Sequence, residues 1–240
     1  MGFIELHADG ARIAFTDRHG GVSEPPYDTA NLGLATGDDP AAVAENRRRV
    51  AEALGGDFGD PGRWAWARQV HGGDALEPVG PGRAGDADAL VTTAPALPLL
   101  VLVADCAPVA LVAGEAVAAV HVGWRGLLAG VVPTAVELAR RRGGGPVRAV
   151  VGPCISAMHY EFGARDLDQV TGRLGPAISG RTVDGAAALD LRAGVRAALD
   201  DAGVAEHTDV DLCTYASDAY FSHRRDGVTG RQALIITRER

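Results

Sequence analysis

Two histidines and one cysteine in this sequence stand in short segments that could together hold a metal ion. His71, Cys106 and His121 lie in the segments RQVHG, ADCAP and AVHVGWRG. Two imidazoles and one thiolate are a typical ligand set for a catalytic zinc site, which keeps a fourth position for water or substrate. Copper is the main competitor for these donors. Convergence of the three side chains would make the protein a metal-dependent enzyme.

The same three residues allow two other interpretations. Their separations are long and match no compact zinc-finger pattern, so spacing alone favours a buried cysteine and two unrelated polar histidines. In the second interpretation no metal is involved, and Cys106 is a nucleophile with His71 or His121 as its base. That arrangement needs the same three side chains close together, so the sequence does not separate it from a zinc site.

Strand ends are expected to position the three candidates. Residues 64–70, 99–104 and 116–122 are alternating or continuously apolar and predict strands, and each candidate lies at or just beyond the end of one of them. Strand ends hold side chains on a rim where loops can admit a substrate. Further strands are predicted over residues 12–15, 89–92, 148–151 and 233–237.

Capping residues predict three helices. One follows Asp39 and Pro40, one covers residues 127–142, and one follows Asp190 and ends at Gly203. Strands and helices are mixed without a regular βαβ repeat or an obvious linker, which predicts one α+β domain over residues 1–240.

Composition limits the classes of function. The 23 basic residues are all arginine, so a lysine Schiff base, a P-loop lysine and a lysine general base are excluded. The net charge of −8 argues against nucleic acid as a partner. The first residues lack the basic region and apolar run of a signal peptide, so none is expected. The most apolar stretch is too short to span a membrane, and the 3 cysteines are too few for a disulfide framework. We therefore expect a cytoplasmic protein with no membrane partner.

The motifs taken together resemble a known family. In order they are RHGGVS at 18–23, GDDP at 37–40, ENR at 45–47, QVHG at 69–72, DALVT at 88–92, the two ligand segments ADCAP and HVGWRG, GP at 152–153, and the C-terminal segment 221–231. Each is weak alone, but the set resembles the laccase-domain family. Its members are also described as multicopper polyphenol oxidase-like proteins, peptidoglycan editing factors, or purine nucleoside phosphorylases of the laccase-domain type.

The resemblance implies a fold and an activity. It implies mixed β-sheets packed between helices in α/β/β/α layers, with zinc held by His71, Cys106 and His121. The implied reactions are phosphorolysis of adenosine, inosine, guanosine and methylthioadenosine, and hydrolytic deamination of adenosine. The implied partners are therefore a small-molecule nucleoside and phosphate, and a monomer or weak dimer is the working expectation.

The implied reactions need further side chains. Guanidinium groups bind phosphate bidentately, so we expect Arg47 and Arg225 to hold phosphate, with Asn46 beside them. Asp105 or Glu161 could move the proton during deamination.

Two rival activities stay open at this point. A copper-dependent phenol oxidase would need more histidines than the 7 present. A metal-free cysteine hydrolase acting on peptidoglycan precursors would use Cys106 directly. The chain also departs from the family pattern beside its motifs, with Cys154 in place of a small residue and His223 in place of a usual tyrosine. These departures leave the metal ligands intact and bear on the choice of substrate.

Overall fold

The computed structural model describes residues 1–204 and 206–239, so Ala205 and Arg240, which the predicted domain includes, lie outside the described residues. The strands are β1 (Phe3–Ala8), β2 (Ala11–Thr16), β3 (Ala65–Arg68), β4 (Ala75–Leu76), β5 (Gly82–Asp86), β6 (Ala89–Thr92), β7 (Leu99–Val103), β8 (Ala107–Ala113), β9 (Ala116–Val122), β10 (Val147–Val151), β11 (Ser179–Arg181), β12 (Ala187–Leu189), β13 (Glu206–Asp209) and β14 (Gln232–Arg238). The helices are α1 (Pro40–Leu54), α2 (Trp124–Ala129), α3 (Val131–Gly143), α4 (Ala164–Leu174), α5 (Leu191–Asp201) and α6 (His223–Asp226).

Most of the strands form two mixed sheets of 6 strands each. The first sheet has the order β1-β2-β14-β7-β3-β5 and the second has the order β13-β10-β8-β9-β6-β4, while β11 and β12 form a separate hairpin. Antiparallel pairs dominate both sheets, and each also contains parallel neighbours, such as β3 with β7 and β10 with β13.

The two sheets pack face to face between helices. Apolar side chains of β2, β7 and β14 meet those of β8 and β9 in a core layer between the sheets. The outer face of the first sheet packs against α1, and the outer face of the second packs against α3 and α5. The predicted α/β/β/α arrangement of an α+β fold is confirmed.

The period of two along each strand explains this layering. In β2, Ile13 and Phe15 face the layer between the sheets while Ala14 faces α1. In β9, Val117 and Ala119 face the same inner layer, whereas Ala118 and Val120 face the helices. Because both faces of these strands are covered, both sets of side chains are apolar.

Two of the three helices predicted from the sequence begin where their capping residues indicated. The side chain of Asp39 accepts a hydrogen bond from the first turn of α1, and that of Asp190 does the same for α5. The single helix predicted over residues 127–142 is wrong. It is divided into α2 and α3 at Gly130, whose φ of 81° is left-handed and ends the first of them.

One strand beside the site was not predicted. β8 begins directly after Cys106 and contains Pro108, which pairs with His121 of β9. Proline lacks the N–H that a strand normally donates, so Pro108 argued against a strand in the sequence pattern. The strand is nevertheless buried along its whole length. Within the described residues no helix combines the length and apolar character needed to cross a membrane.

Candidate metal centre

His71, Cys106 and His121 converge in the structure, as the family resemblance implied. Their ligand atoms all lie within 4.8 Å of one another, and the two imidazole rings are 4.8 Å apart between centroids at an angle of 66°. Exposure decreases across the set, from the exposed His71 through the half-buried Cys106 to the buried His121. The cluster is therefore anchored in the core on one side and open to solvent on the other.

The seam between the two sheets brings the three residues together. Cys106 lies where the chain leaves β7 of the first sheet and enters β8 of the second. His121 is near the end of β9, the neighbour of β8, and His71 lies in the loop after β3, the neighbour of β7. Each ligand is thus held near the end of a strand, although the strand before His71 ends three residues earlier, at Arg68.

Asp88 connects the two histidines through a buried carboxylate. Its Oδ1 is 2.7 Å from Nδ1 of His121 and accepts the backbone N–H of His71 at 3.0 Å. Its Oδ2 accepts the N–H groups of Val70 at 3.1 Å and Gly72 at 2.7 Å. The carboxylate therefore fixes the loop that carries His71, whose φ of 57° is unusual for a residue other than glycine.

The bond to Asp88 also determines how His121 can bind a metal. Because Nδ1–H donates to the carboxylate, Nε2 is the atom left to face Cys106 and His71. Burial opposes the charged imidazole, but Cys106 and Asp88 outweigh that effect and raise the pKa of His121 to about 9. Sequence reasoning missed this role of Asp88, although its DALVT motif was noted.

Glycine at position 123 permits the close approach of two ligands. A Cβ atom built on Gly123 would lie 2.9 Å from Nδ1 of His71 and 3.2 Å from Sγ of Cys106. Both separations are shorter than ordinary contacts. The HVGWRG motif therefore supplies His121 and also the space in which His71 and Cys106 pack against the backbone.

Asp105 and Glu161, the two residues expected to move protons, have other contacts. The Oδ1 of Asp105 accepts the hydroxyl of Thr214 at 2.7 Å, and its Oδ2 accepts the backbone N–H of Arg224 at 2.6 Å. Asp105 has a left-handed φ of 89° and directly precedes Cys106, so these bonds hold the turn that presents the thiol. Glu161 is exposed and does not line the cavity beside the cluster.

A cavity of about 580 Å³ opens beside the three ligands. Its polar lining includes Arg47, Gln69, His223 and Arg231 in addition to the cluster. The side-chain amide of Gln69 is held by the backbone of Leu102, with bonds of 2.7 and 2.8 Å. A cavity of this size can take a small organic ligand.

The three residues expected to bind substrate have different positions. Arg47 lines the cavity. Asn46 is fully buried beside it, where its side chain bonds Val22, Ser23 and Asn31. Arg225 is also outside the cavity lining, and its guanidinium donates to the carbonyls of four residues of the preceding loop, Thr214, Tyr215, Ser217 and Tyr220. The structure brings Arg47 to the site and gives Asn46 and Arg225 contacts that hold loops together.

The donor set fits a catalytic transition-metal site. Two imidazoles and one thiol suit zinc or copper, and a carboxylate behind a ligating histidine is a common feature of such sites. Within the described residues no further histidine, cysteine or carboxylate joins the cluster. A three-residue set open to a cavity is typical of catalytic sites, whereas structural zinc sites use four protein ligands.

Known proteins resemble this chain over nearly its full length. Residues 12–239 match the family model described as multi-copper polyphenol oxidoreductase laccase. The chain is 44% identical to a purine nucleoside phosphorylase of Streptomyces coelicolor, SCO2081, over 95% of this chain and 96% of the relative. It is 46% identical to purine nucleoside phosphorylase Rv2149c of Mycobacterium tuberculosis, over 95% and 92% of the two chains.

The fold has a solved counterpart as well. The crystal structure of YlmD from Geobacillus stearothermophilus superposes with a TM-score of 0.92 at 33% identity, covering 100% of this chain and 97% of that one. The match covers both sheets and the helices that flank them. With its motifs, its fold and its cluster of candidate metal ligands in agreement, this chain belongs to the laccase-domain family of multi-copper polyphenol oxidoreductase-like proteins, whose relatives include enzymes named purine nucleoside phosphorylases.

Proposed function

We propose that the protein is a zinc-dependent purine nucleoside phosphorylase that also deaminates adenosine. The observation that carries the proposal is the convergence of His71, Cys106 and His121 at the mouth of the cavity. It is supported by relatives at 44% and 46% identity that are named purine nucleoside phosphorylases. The candidate substrates are adenosine, inosine, guanosine and methylthioadenosine, together with phosphate.

The phosphorolysis step exchanges one bond at the sugar. An oxygen of hydrogen phosphate forms a bond to C1′ of the ribose while the bond from C1′ to N9 of the purine breaks. The electron pair of the broken bond leaves with the purine, which gains the proton that the phosphate loses, so the products are ribose 1-phosphate and the free base. Orienting phosphate behind C1′ accounts for much of the barrier reduction that such a site can supply.

The protein's own residues divide this work. His71, Cys106 and His121 would hold zinc, which supplies a Lewis acid beside the substrate. Asp88 keeps His121 and the His71 loop in position. The cavity beside the ligands takes the nucleoside, and the cation of Arg47 in its lining is the proposed partner of phosphate.

Deamination of adenosine belongs to the same proposal. Water adds at C6 of the purine and ammonia leaves from the same carbon, giving inosine, so this reaction does not need phosphate. Inosine is itself a substrate for phosphorolysis. Because the reduced thiol of Cys106 is a required ligand, the proposal also includes a reducing compartment such as the cytoplasm.

The test is turnover by the wild-type chain and two cysteine variants. The purified protein is incubated with inosine and phosphate, and with adenosine alone, and hypoxanthine and inosine are followed by chromatography. Wild type should form both products, and Cys106→Ala should form neither and should lose zinc. The matched control is Cys213→Ala, which removes a partly exposed thiol outside the cavity and should keep both activities.

Two results would replace the proposal. Copper in the protein and oxidation of phenols, without nucleoside turnover, would favour the oxidase activity that the family name describes. Turnover of a peptidoglycan precursor that persists after chelation but is stopped by thiol alkylation would favour the metal-free cysteine hydrolase.

A further inference from the structure

Two arginines with no acidic partner face the cavity that contains the metal ligands. Arg47 and Arg231 both contribute to its lining. Neither forms an ion pair with a carboxylate among the described residues, whereas Arg192, which is as buried as Arg47, is paired with Asp211. Burying a cation without an anion costs free energy, so such residues commonly await a charged ligand.

Arg47 offers one free edge of its guanidinium. The side chain is only 9% exposed, and its Nε and Nη2 both donate to the carbonyl oxygen of Leu32, at 3.0 and 2.7 Å. Nη1 has no hydrogen-bond partner within the described residues. Burial lowers the pKa of Arg47 to about 10, which leaves it a cation at neutral pH. The carbonyl holds the guanidinium in place without neutralising its charge.

Arg231 has more unused hydrogen-bond donors than Arg47. Its Nη1 donates to the carbonyls of Thr229 and Gly230, at 2.9 and 2.8 Å. Nε and Nη2 make no hydrogen bond within the part of the chain that the structure describes, which leaves two parallel donors for a bidentate contact. Burial lowers the pKa of Arg231, while Cys106 and Asp105 act to raise it. Arg231 lines the same cavity as His71, Cys106 and His121.

One loop holds the two arginines together. The carbonyl of Leu32 accepts the guanidinium of Arg47, and the N–H of Leu32 donates to the carbonyl of Arg231 at 3.0 Å. The next residue, Gly33, also lines the cavity, and a Cβ there would lie 3.0 Å from Cγ of Arg231. The two cations are therefore fixed on the same wall and are not independent flexible side chains.

The other cavity arginines have partners. Arg68 and Arg83 lie at the rim, both are exposed, and both pair with Asp86. Their charge is shared with that carboxylate and screened by solvent, so they offer little to a buried anion. The uncompensated positive charge in the lining belongs to Arg47 and Arg231.

We infer that Arg47 and Arg231 form the subsite for inorganic phosphate, in the same cavity as the candidate metal ligands, and that Arg231 donates two parallel hydrogen bonds to the phosphate. The assignment rests on the proposed phosphorylase function and gives it a phosphate site that Arg225 does not supply. In this subsite the two guanidiniums hold hydrogen phosphate while one of its oxygens forms the bond to C1′ and the purine leaves with the proton. Nucleoside binding uses the rest of the cavity and does not depend on these cations.

The test measures phosphate binding and kinetics separately. Binding of inorganic phosphate to the zinc-loaded protein is measured by isothermal titration without nucleoside, and the KM values for phosphate and inosine are measured by steady-state assay. For Arg231→Gln we expect phosphate binding to be lost and the KM for phosphate to rise about tenfold or more, with the KM for inosine changed by less than about threefold. Arg231→Lys keeps the charge but not the paired donors. Its affinity for phosphate should therefore lie between those of wild type and Arg231→Gln.

The matched control is Arg83→Gln, which removes a paired rim arginine from the same cavity and should bind phosphate as wild type does. Equal phosphate binding by wild type and Arg231→Gln would overturn the assignment, as would equal losses in Arg231→Gln and Arg83→Gln. Arg47→Gln should also lose phosphate binding. If Arg47→Gln does not fold, Arg231→Gln by itself is the test of the subsite.

A further binding experiment distinguishes inorganic phosphate from the phosphate group of a nucleotide. Adenosine 5′-monophosphate binding much more tightly than adenosine, with the difference lost in Arg231→Gln, would assign the subsite to a nucleotide's own phosphate and overturn the proposal. The calorimetric measurement of phosphate binding does not depend on catalytic activity, so it tests the subsite separately from the proposed reaction. Phosphate binding through Arg231 in a protein that does not cleave inosine would keep the subsite and contradict the phosphorylase.

Discussion

At the scale of single residues, the metal centre depends on a carboxylate that is not expected to touch the metal. Asp88 is 1% exposed. Its carboxylate accepts hydrogen bonds from Nδ1 of His121 and from three successive backbone N–H groups of the His71 loop. Asparagine at this position would present an NH₂ group to at least one of those donors. The tautomer of His121 and the position of the His71 loop would then be lost together, because one side chain fixes both.

Asp88→Asn is expected to weaken zinc binding by about 10–100-fold, the usual effect of removing a carboxylate behind a ligating histidine. Competition with a chromophoric chelator measures the affinity, and the absorption spectrum of the cobalt-substituted protein reports the geometry of the ligands. The control is Asp86→Asn, the same change two residues away in an exposed carboxylate that pairs with Arg68 and Arg83. Wild-type affinity in Asp88→Asn, with an unchanged cobalt spectrum, would remove Asp88 from the description of the site.

Cys154 and Cys106 should differ in their reaction with iodoacetamide. Burial raises the pKa of the Cys154 thiol to about 12, and the side chain is fully buried, so it should remain unmodified in the folded protein at neutral pH. Cys106 is half-buried at the mouth of the cavity and should be alkylated after zinc is removed and protected when zinc is added. Peptide mass spectrometry measures each site, and equal labelling of Cys106 with and without zinc would contradict its role as a ligand.

At the scale of elements, the turn from β9 into α2 contributes its backbone to the site. Gly123 lies between His121 and the first residue of α2, and both His71 and Cys106 pack against it. Gly123→Ala should therefore reduce zinc binding by displacing two ligands while leaving the sheets intact. Metal content and far-UV circular dichroism measured on the same sample check both parts of this prediction.

A second glycine gives the matched control for that substitution. Gly172 lies within α4, where a Cβ would meet nothing within 4 Å. Gly172→Ala should keep zinc and stabilise the protein by about 0.5–1 kcal/mol, because alanine loses less backbone entropy in a helix. If both variants bound zinc equally, the crowding at Gly123 would not limit the site.

Sequence patterns predicted elements well where capping residues or periodicity were local. Asp39 and Asp190 begin helices as expected, and the strand ending beside Asp105 is where the apolar run indicated. Two of the failures come from single residues that act against the pattern. Gly130 takes a left-handed conformation inside a stretch that otherwise reads as one helix, and Pro108 lies in a buried strand.

The site was predictable only in part, for a similar reason. The ligand types of His71, Cys106 and His121 can be recognised from their motifs, but the roles of Asp88 and Arg231 depend on partners brought together by the fold. Arg231 and Leu32 are distant in sequence and adjacent in the structure. Arg225 has the right chemistry for phosphate, yet its guanidinium is used by nearby carbonyls, a pairing that no spacing rule indicates.

At the scale of the whole molecule, we expect the fold to form without the metal. Three apolar layers, one between the sheets and two beneath the helices, form the core, whereas the ligands lie at the seam where β7 passes into β8. A catalytic metal should therefore add stability without being needed for folding. This property separates an enzyme site from a module that a metal holds together.

Removal of zinc by a chelator is expected to lower the Tm and leave the secondary structure unchanged. Zinc at 100 times its Kd stabilises the folded state by about 2.7 kcal/mol, which corresponds to roughly 5–10 °C in Tm for a chain of this size. Differential scanning calorimetry and circular dichroism measure the two effects. Loss of the folded state at room temperature on chelation would indicate a structural metal and favour a non-catalytic binding module.

The most direct measurement of the central claim is a titration of zinc into metal-free protein while phosphate-dependent formation of hypoxanthine from inosine is followed. The account predicts negligible turnover without metal and a rate that rises linearly with zinc and saturates at about one ion per chain, since one three-residue cluster is present in the described residues. Full activity of the metal-free protein, or activity that needs copper or more than one ion, would contradict it.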